Sequence, residues 1–250
     1  MPAPNPNLIK VAHRGASGYY PENTRIAFEK AVEAGVDIIE MDCQISRDGH
    51  VVIYHDENLR RVADVKGTVK SKTLQQLKKL DVGVKFKKSF KGQQILTLEE
   101  AMSFLAGKVD LNIEIKSPLR APPGIELKIL FILSYYRYLQ HSIISSLDYR
   151  AIERVRELAP KARIGVIYAR GIKEDPFEIA SRLRADSLHV EKGCATPDRI
   201  KQANGLGLKV FVWTVNEVAE MERFLALGVD GIISDYPEKF WKLRIRRGQK

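Results

Sequence analysis

The stretch that decides the fold is LKVFVWTVNEVAEMERFLALGVDGIISD, residues 208–235. It begins with a β-branched apolar run that is typical of a buried strand, continues as a helical segment that starts at Asn216, and ends in a second apolar run. No low-complexity linker separates the three pieces. A strand, a helix and another strand in succession favour an α/β protein with a parallel sheet.

The same alternation extends from this stretch along nearly the whole chain. The eight strand candidates are LIKVAH (8–13), VDIIEMDCQ (36–44), VDLNIEIK (109–116), SIISS (142–146), RIGVIYA (163–169), DSLHVE (186–191), LKVFVWTV (208–215) and DGIISD (230–235). Most are followed by a helix whose start the sequence indicates. These starts are Asn23, Thr97 with Glu100, Asp175-Pro176, Thr196-Pro197 and Asn216. Eight such units predict a closed (β/α)8 TIM barrel in a single domain, residues 1–250, with a doubly wound open sheet as the alternative.

One further strand candidate, VVIYHD (51–56), follows the second strand after Asp48-Gly49, which is a strong hairpin signal. We therefore expect the second strand to continue past the barrel rim, turn, and return antiparallel. With the turn centred on Asp48-Gly49, His55 comes level with residues 40–42. The residues from about 56 to 96 then form a small insertion. It contains a capped helix, TLQQLKKL (73–80), and we interpret it as a lid or a wall beside the substrate.

Composition and charge restrict the class of protein. The chain has 250 residues, 44% of them hydrophobic, which is enough for one large core. No run reaches the roughly 18 apolar residues of a membrane span, so we expect no stable membrane insertion. The first ten residues lack the apolar centre of a secretory signal, so we expect a cytoplasmic protein. The segment IELKILFILSYYRYL (125–139) is interrupted by Lys128 and Arg137, and we interpret it as a barrel helix rather than a membrane-surface helix.

The net charge of +10 could favour binding of nucleic acid, an anionic membrane or a phosphorylated substrate. Its basic residues are scattered, partly in KFKKSFK (85–91) and LRIRRGQK (243–250), which we interpret as solvated surface. No nucleic-acid-binding module is present, so we expect no nucleic-acid partner. Cys43 and Cys194 follow no metal-ligand spacing and are interpreted as buried free thiols. The sequence leaves the oligomeric state open.

Acidic residues cluster at the ends of two strand candidates. Because side chains alternate along a strand, Glu40 and Asp42 share one face, and Glu114 and Lys116 share one face of the next barrel strand. Their apolar neighbours suit the helix-covered outside, so the polar faces point into the barrel mouth. Buried carboxylates need compensating positive charge, and hard oxygen ligands suit Mg²⁺ or Ca²⁺ better than zinc. The alternative is a salt-bridge network with Arg14 and Lys116 and no metal.

Two of the five histidines, His13 and His55, are expected beside these carboxylates. An imidazole titrates near neutral pH, so a pair across a reacting centre can act as general base and general acid. Combined with a dication and two basic side chains, such a pair suits a phosphate ester. The other three histidines, His50, His141 and His189, are expected to be structural or exposed.

The motifs in their order along the chain resemble the glycerophosphodiester phosphodiesterase family, from about residue 10 to residue 240. They are HRGASGYYPENT (13–24), EMDCQIS (40–46) with VVIYHD, IEIK (113–116), WTVN (213–216) and GVDGIISDYP (228–237). The resemblance implies a (β/α)8 barrel, one divalent metal ion, Mg²⁺ in preference to Ca²⁺, and hydrolysis of glycerophosphodiesters to glycerol 3-phosphate and an alcohol. It would place the enzyme in glycerol and lipid metabolism. A related barrel phosphodiesterase that acts on lysophospholipids is the alternative.

The resemblance also implies roles for individual residues. It implies Glu40, Asp42 and Glu114 as metal ligands, His13 and His55 as the acid/base pair, Arg14 and Lys116 as phosphate contacts, Trp213 on the substrate side, and Glu22 and Asn23 as support. We expect His13 to be the base and His55 the acid, although the exchanged roles remain open. The attacking oxygen is either the glycerol 2-hydroxyl, which would give a cyclic phosphate, or water. Leu96 and Leu147 depart from the family pattern, which often has a proline and an aromatic there, and bear only on the lid and the pocket lining.

Overall fold

The structure, a computed structural model, describes residues 8–116 and 124–243. Its nine strands are β1 (Ile9–Ala12), β2 (Ile38–Ile45), β3 (Val51–Ile53), β4 (Asp110–Ile115), β5 (Ser142–Ser146), β6 (Arg163–Tyr168), β7 (Ser187–Glu191), β8 (Lys209–Trp213) and β9 (Gly231–Ser234). All except β3 pair in parallel, in the order β1, β2, β4 to β9, and β9 pairs back with β1. The sheet is therefore a closed eight-stranded barrel. This confirms the predicted TIM barrel and excludes the open sheet.

Helices follow most barrel strands and cover the outside of the sheet. The α-helices of the described residues are α1 (Arg25–Glu33), α2 (Arg60–Ala63), α3 (Leu74–Leu77), α4 (Leu98–Leu105), α5 (Ile125–Tyr135), α6 (Tyr149–Leu158), α7 (Pro176–Leu183), α8 (Pro197–Gly205) and α9 (Val218–Ala226). α2 and α3 belong to the insertion between β3 and α4. Segment 125–139, interpreted from sequence as a barrel helix, forms α5, which packs against α4 and α6.

Alternate strand residues divide between two apolar layers. Met41 and Cys43 of β2 are fully buried in the layer between the sheet and the helices. Ile143, Phe211 and Ile233 belong to a separate cluster inside the barrel. The inner cluster fills the lower part of the barrel, so the polar faces of β2 and β4 are left for its carboxyl-terminal end.

The predicted hairpin is present, and its register places His55 as expected. β3 runs antiparallel to β2 with Cys43 opposite Ile53. The amide of Tyr54 then donates to the carbonyl of Asp42 at 2.8 Å, so His55 follows level with the polar face of β2. The turn between the strands contains Gly49 at φ +87°, a left-handed conformation that costs glycine little.

The insertion has a small apolar cluster of its own. Its buried members are Leu59, Val69, Leu77, Val82 and Ile95, together with Val52 and Tyr54 from the β3 region. The predicted capped helix is α3, where Thr73 and Gln76 form a capping box. The insertion is thus packed against the outer strand of the hairpin, beside the carboxyl-terminal end of the barrel.

Three of the five predicted helix starts are confirmed, and two are wrong. The capping box of Thr97 with Glu100 begins α4, and Asp175 and Thr196 cap α7 and α8 ahead of a proline. However, α1 is capped by Thr24 rather than Asn23, and α9 begins after Glu217 with no side-chain cap. The side chains of Asn23 and Asn216 instead bond to Asp42, within β2, and to Asp235, directly after β9.

Several further expectations concern the surface. Within residues 8–116 and 124–243, no helix has the length and apolar character to cross a membrane. Cys43 and Cys194 are free thiols, and Cys43 is buried whereas Cys194 is only partly so. The basic segment 85–91 is exposed apart from the half-buried Phe90. Of the basic tail, residues 244–250 lie outside the described residues, as do residues 1–7.

Candidate active site

A cavity of about 490 Å³ opens at the carboxyl-terminal end of the barrel. It is lined by His13, Arg14, Glu40, His55, Asn112, Glu114, Lys116, Leu147, Ile167, His189, Trp213 and Ile233. The residues predicted from separate strands therefore meet in one place. Asp42 is fully buried directly behind this lining, and Glu22 and Asn23 lie in the loop before α1.

The turn after β1 brings the backbone itself into the site. Arg14 has a left-handed backbone, φ 56°, and its amide donates to Oε2 of Glu40 at 2.9 Å. Gly15 follows at φ +82°, and a Cβ there would lie 2.6 Å from the backbone carbon of Ala27. Only glycine can pass so close to α1. The turn therefore keeps the Arg14 amide on the Glu40 carboxylate.

Glu40, Asp42 and Glu114 each offer a carboxylate oxygen within 4.8 Å of the other two. Arg14 and Lys116 lie among them. Oδ1 of Asp42 is 3.1 Å from Nζ of Lys116, and Oδ2 is 3.2 Å from Nε of Arg14. Nζ of Lys116 also donates to Oε1 of Glu114 at 2.5 Å. Three acidic groups thus share two basic ones.

The pKa values of Asp42 and Glu40 are shifted in opposite directions. Burial alone would raise the pKa of Asp42, but Lys116 and Arg14 hold it well below its usual range. Burial, together with the nearby Asp42 and Glu114 charges, raises the pKa of Glu40 well above its ordinary value. Part of the predicted salt-bridge network is therefore formed, and Arg14 and Lys116 offset the charge of Glu40 only in part.

The donor set fits a hard divalent cation. Oε1 of Glu40 is buried and has no hydrogen-bond donor among the described residues, and buried Oδ1 of Asp42 has only the ion pair with Nζ of Lys116 at 3.1 Å. A buried carboxylate oxygen without a donor is costly, and a dication among the three acids would offset the charge that raises the pKa of Glu40. All three proposed ligands are carboxylates, which Mg²⁺ and Ca²⁺ prefer. A cation site at this position is consistent with the side chains present.

His13 is held by a network at the end of β9. Its Nδ1 lies 2.7 Å from Oδ1 of Asp235, which also accepts from Oγ of Ser17 at 3.0 Å. Oδ2 of Asp235 accepts from Nδ2 of Asn216 at 2.7 Å. Burial would raise the pKa of Asp235, but the hydrogen bond and charge of His13 and the donors Asn216 and Ser17 lower it to about 2. An ionised carboxylate accepts the Nδ1 proton and leaves Nε2 of His13 for a ligand.

His55 is held in the same way by its neighbour. Its Nδ1 lies 2.6 Å from Oδ1 of Asp56. Nε2 of Gln44 donates to the carbonyls of Tyr54, His55 and Asp56 at 2.7, 3.2 and 2.8 Å, which fixes the backbone after β3. Burial lowers the pKa of His55, and Asp42 acts in the opposite direction. Each of the two imidazoles thus has one nitrogen on a carboxylate and one available to the cavity.

The prediction that only His13 and His55 lie at the site is incomplete. His189, in the middle of β7, is 2% exposed and also lines the cavity. Its Nε2 contacts Oγ of Ser187 at 2.9 Å, and burial lowers its pKa to about 3, so it stays neutral. Trp213 forms the adjacent wall, with Nε1 donating to the carbonyl of His189 at 3.2 Å. His50 and His141 are exposed, as expected.

Sequence reasoning missed the residues that hold the site together. These are Ser17, Gln44, Asp56, His189, Asn216 and Asp235, together with Arg61, whose guanidinium donates to the carboxylates of Asp56 and Glu22. Asp235 ends a predicted strand and Asp56 follows a candidate histidine, so both carried a positional signal. Ser17, Gln44 and Arg61 carried none, because their partners are set by tertiary packing.

Comparison with known proteins gives a consistent result. Residues 13–239 match the model of the glycerophosphoryl diester phosphodiesterase family. A glycerophosphodiester phosphodiesterase of Caldanaerobacter subterraneus subsp. tengcongensis is 42% identical over 96% of this chain and 98% of its own length. One of Bacillus altitudinis is 32% identical over 93% of this chain and 96% of its own.

Solved structures show the same fold. A phosphodiesterase of Oleispira antarctica, in complex with the product sn-glycerol-3-phosphate, superposes with a TM-score of 0.83 at 29% identity, covering 93% of this chain and 94% of its own. A glycerophosphodiester phosphodiesterase of Thermotoga maritima gives a TM-score of 0.73 at 29% identity, covering 95% and 98%.

Proposed function

Because the chain belongs to the glycerophosphoryl diester phosphodiesterase family, we propose that it hydrolyses glycerophosphodiesters to glycerol 3-phosphate and an alcohol. The observation that carries the proposal is the convergence in one cavity of His13, His55 and a trio of carboxylates with two basic side chains. The product in the Oleispira antarctica relative supports the same chemical class.

The carboxylates Glu40, Asp42 and Glu114 would hold one divalent cation, with Mg²⁺ favoured over Ca²⁺. When bound, this ion would supply positive charge next to the phosphoryl group of the substrate. Arg14 and Lys116 line the same cavity, and we assign them to the non-bridging phosphate oxygens, where charge builds in the transition state. Trp213 and the apolar lining opposite the carboxylates would receive the carbon skeleton.

We assign the proton transfers to the two imidazoles. Nε2 of His13 would accept the proton of the attacking hydroxyl, either the glycerol 2-hydroxyl or a water molecule. As the bond from phosphorus to the alcohol oxygen breaks, Nε2 of His55 would donate a proton to that oxygen. If the 2-hydroxyl attacks, water then opens the cyclic phosphate with the histidine roles exchanged. Each imidazole has an acidic partner on Nδ1, Asp235 or Asp56, that would stabilise its protonated state.

A panel assay tests the function. The protein is treated with a chelator and assayed with added Mg²⁺ or Ca²⁺ on glycerophosphocholine, glycerophosphoethanolamine, glycerophosphoglycerol and lysophosphatidylcholine. We expect added metal to restore release of glycerol 3-phosphate from the first three substrates. We expect His13→Ala and His55→Ala each to lower kcat by at least about 10²-fold. The exposed His50→Ala is the matched control and should retain wild-type turnover.

Other outcomes would contradict specific parts of the proposal. Preferred turnover of lysophosphatidylcholine would favour the lysophospholipid-acting alternative. Full activity after chelation would refute the metal requirement. Wild-type turnover in either cavity-histidine variant would refute the acid/base assignment.

A further inference from the structure

Arg61, on α2 of the insertion, binds two carboxylates at once. Its Nε and Nη2 donate to Oδ2 and Oδ1 of Asp56 at 2.6 and 3.0 Å. Its Nη1 and Nη2 donate to Oε2 and Oε1 of Glu22 at 2.8 and 2.7 Å. The planar guanidinium is thus occupied on two edges by two acids from different parts of the chain.

Each of these acids also contacts a residue that lines the catalytic cavity. Oδ1 of Asp56 lies 2.6 Å from Nδ1 of His55, and Oε1 of Glu22 accepts from Nη1 of Arg14 at 3.0 Å. Burial would raise the pKa of Glu22, but Arg61 and Arg14 lower it, so the carboxylate stays ionised. A continuous series of ion pairs therefore runs from His55 through Arg61 to Arg14.

Arg61 itself stands outside the catalytic cavity. It lines a separate surface cavity of about 360 Å³ together with Glu22 and Val62, and its side chain is 48% exposed. It cannot contact the phosphate from there, so any effect on the reaction has to pass through Asp56 or Glu22. Asp56 could rotate about its side-chain bonds and leave Nδ1 of His55 if Arg61 did not hold both of its oxygens.

We propose that Arg61 is a positioning residue that fixes Asp56 against His55, and so keeps this imidazole oriented as the proton donor to the departing alcohol. This inference rests on the proposed hydrolysis of glycerophosphodiesters. Lysine cannot replace the arginine fully, because an ammonium group cannot present two parallel pairs of hydrogen bonds to two carboxylates. The insertion is then part of the catalytic apparatus and not only a wall beside it.

The experiment compares Arg61→Gln, Arg61→Lys and the control Arg60→Gln, in which the neighbouring side chain on α2 loses the same charge. Each is assayed with Mg²⁺ on glycerophosphoethanolamine and on the 4-nitrophenyl ester of glycerol phosphate. Nitrophenolate leaves without a proton, so it does not need a general acid. In single turnovers, which measure the step that releases the alcohol, we expect Arg61→Gln to slow cleavage of the alkyl ester about 10-fold or more and cleavage of the aryl ester less than about 3-fold. On the alkyl ester, the rate of Arg61→Lys should lie between those of Arg61→Gln and wild type, and the rate of Arg60→Gln should match wild type.

A second measurement does not depend on turnover. Nitrogen-15 NMR of the Mg²⁺-loaded protein reports the tautomer of His55, assigned by its absence in His55→Gln. In wild type and Arg60→Gln, the neutral imidazole of His55 should carry its proton on Nδ1, whereas Arg61→Gln should show a mixture of tautomers. An unchanged tautomer, or equal slowing of the single-turnover cleavage of both esters, would overturn the assignment. If the wild-type protein cleaves neither ester, the proposed hydrolysis fails, and the tautomer still decides the role of Arg61.

Discussion

At the scale of single residues, His13 and His55 each depend on an acid that contacts Nδ1. For His13 this acid is Asp235, which receives three side-chain contacts, from His13, Ser17 and Asn216. Its backbone amide also donates to Oδ1 of Asn216 at 2.9 Å. The orientation of Asp235 is thus determined from several sides, which suits a group that would set the tautomer of the base we propose.

We predict that Asp235→Asn lowers kcat about 10²-fold or more. An amide can present its NH₂ to Nδ1, which would move the proton of His13 to Nε2 and remove the lone pair that we assign to proton abstraction. KM should change little, because Asp235 does not line the cavity. Steady-state kinetics on glycerophosphoethanolamine measure both constants.

A matched control lies at the opposite end of the same strand. Asp230 precedes β9, and its Oδ2 accepts from the amide of Val210 at 2.9 Å. In Asp230→Asn the amide oxygen can accept the same hydrogen bond, far from the cavity, so kcat should stay near wild type. Equal kcat losses in the two variants would point to a general effect on the barrel and contradict the role given to Asp235.

Residue patterns in the sequence predicted the faces of the strands but not the partners of the asparagines. Alternation along β2 and β4 was sufficient to place Glu40, Asp42 and Glu114 together, because a parallel sheet brings strand ends to one edge. Asn23 and Asn216 look like helix caps when only neighbouring residues are considered. Their actual acceptors, Asp42 and Asp235, are brought near by the pairing of β1 with β2 and of β8 with β9, which a local pattern does not contain.

At the scale of elements, the insertion is the part of the site that the sequence located least well. The signal Asp48-Gly49 was enough to predict the hairpin and the position of His55, because a tight turn fixes the register of both strands. No comparable signal orients α2 and α3. Their placement comes from the small apolar cluster around Leu59 and Leu77, and it was this packing that brought Arg61 to Asp56.

A cluster so small should open independently of the barrel. We predict that Leu77→Ala, which leaves a cavity at a fully buried site, lowers the local stability of the insertion by about 2–4 kcal/mol. Hydrogen exchange should accelerate in residues 56–96 while the barrel strands remain protected. The kcat should fall as well, because an open insertion releases Arg61 from Asp56.

The comparison for this variant is Leu105→Ala, a deletion of the same size at a fully buried position of α4 in the main core. It should lower the thermal midpoint of the whole protein without selective exchange in the insertion. If Leu77→Ala instead accelerated exchange evenly across the barrel, the insertion and barrel would form one cooperative unit.

At the scale of the whole molecule, the barrel holds acidic groups together in one buried region of a protein with a net charge of +10. The pairing of β2 with β4 sets Asp42 opposite Glu114, with Glu40 two residues back on the same face, so the three acids lie within 4.8 Å of one another. Closure of the sheet, by the pairing of β1 with β9, brings Asp235 to His13. Eight alternating units in the sequence therefore predicted both the fold and the location of the carboxylates. The sequence also showed that the three acids outnumber the two nearby basic residues. The raised pKa of Glu40 that results depends on its burial as well.

The raised pKa of Glu40 would link metal binding to pH and to the stability of the whole protein. In the absence of metal, the raised pKa of Glu40 means that the folded protein holds a proton that the unfolded chain releases near the ordinary glutamate pKa of about 4.3. The free energy of unfolding therefore falls as pH rises from that value towards the raised pKa. Asp42 acts oppositely, but its lowered pKa makes its contribution complete above the ordinary aspartate range, so it adds no slope near neutral pH.

We predict that Mg²⁺ raises the thermal midpoint of unfolding by more as pH rises from about 5.5 to about 8. The ion replaces the proton on Glu40, so the two compete at low pH. At a Mg²⁺ concentration of about 100 times its Kd, the increase should be about 5 °C or more at the higher pH. Glu40→Gln should weaken the response and remove most of its pH dependence, and Glu114→Gln should weaken it. The exposed Glu33→Gln should behave as wild type. A Mg²⁺ response that is absent, or equal at both pH values, would mean that the trio is not a cation site coupled to this proton.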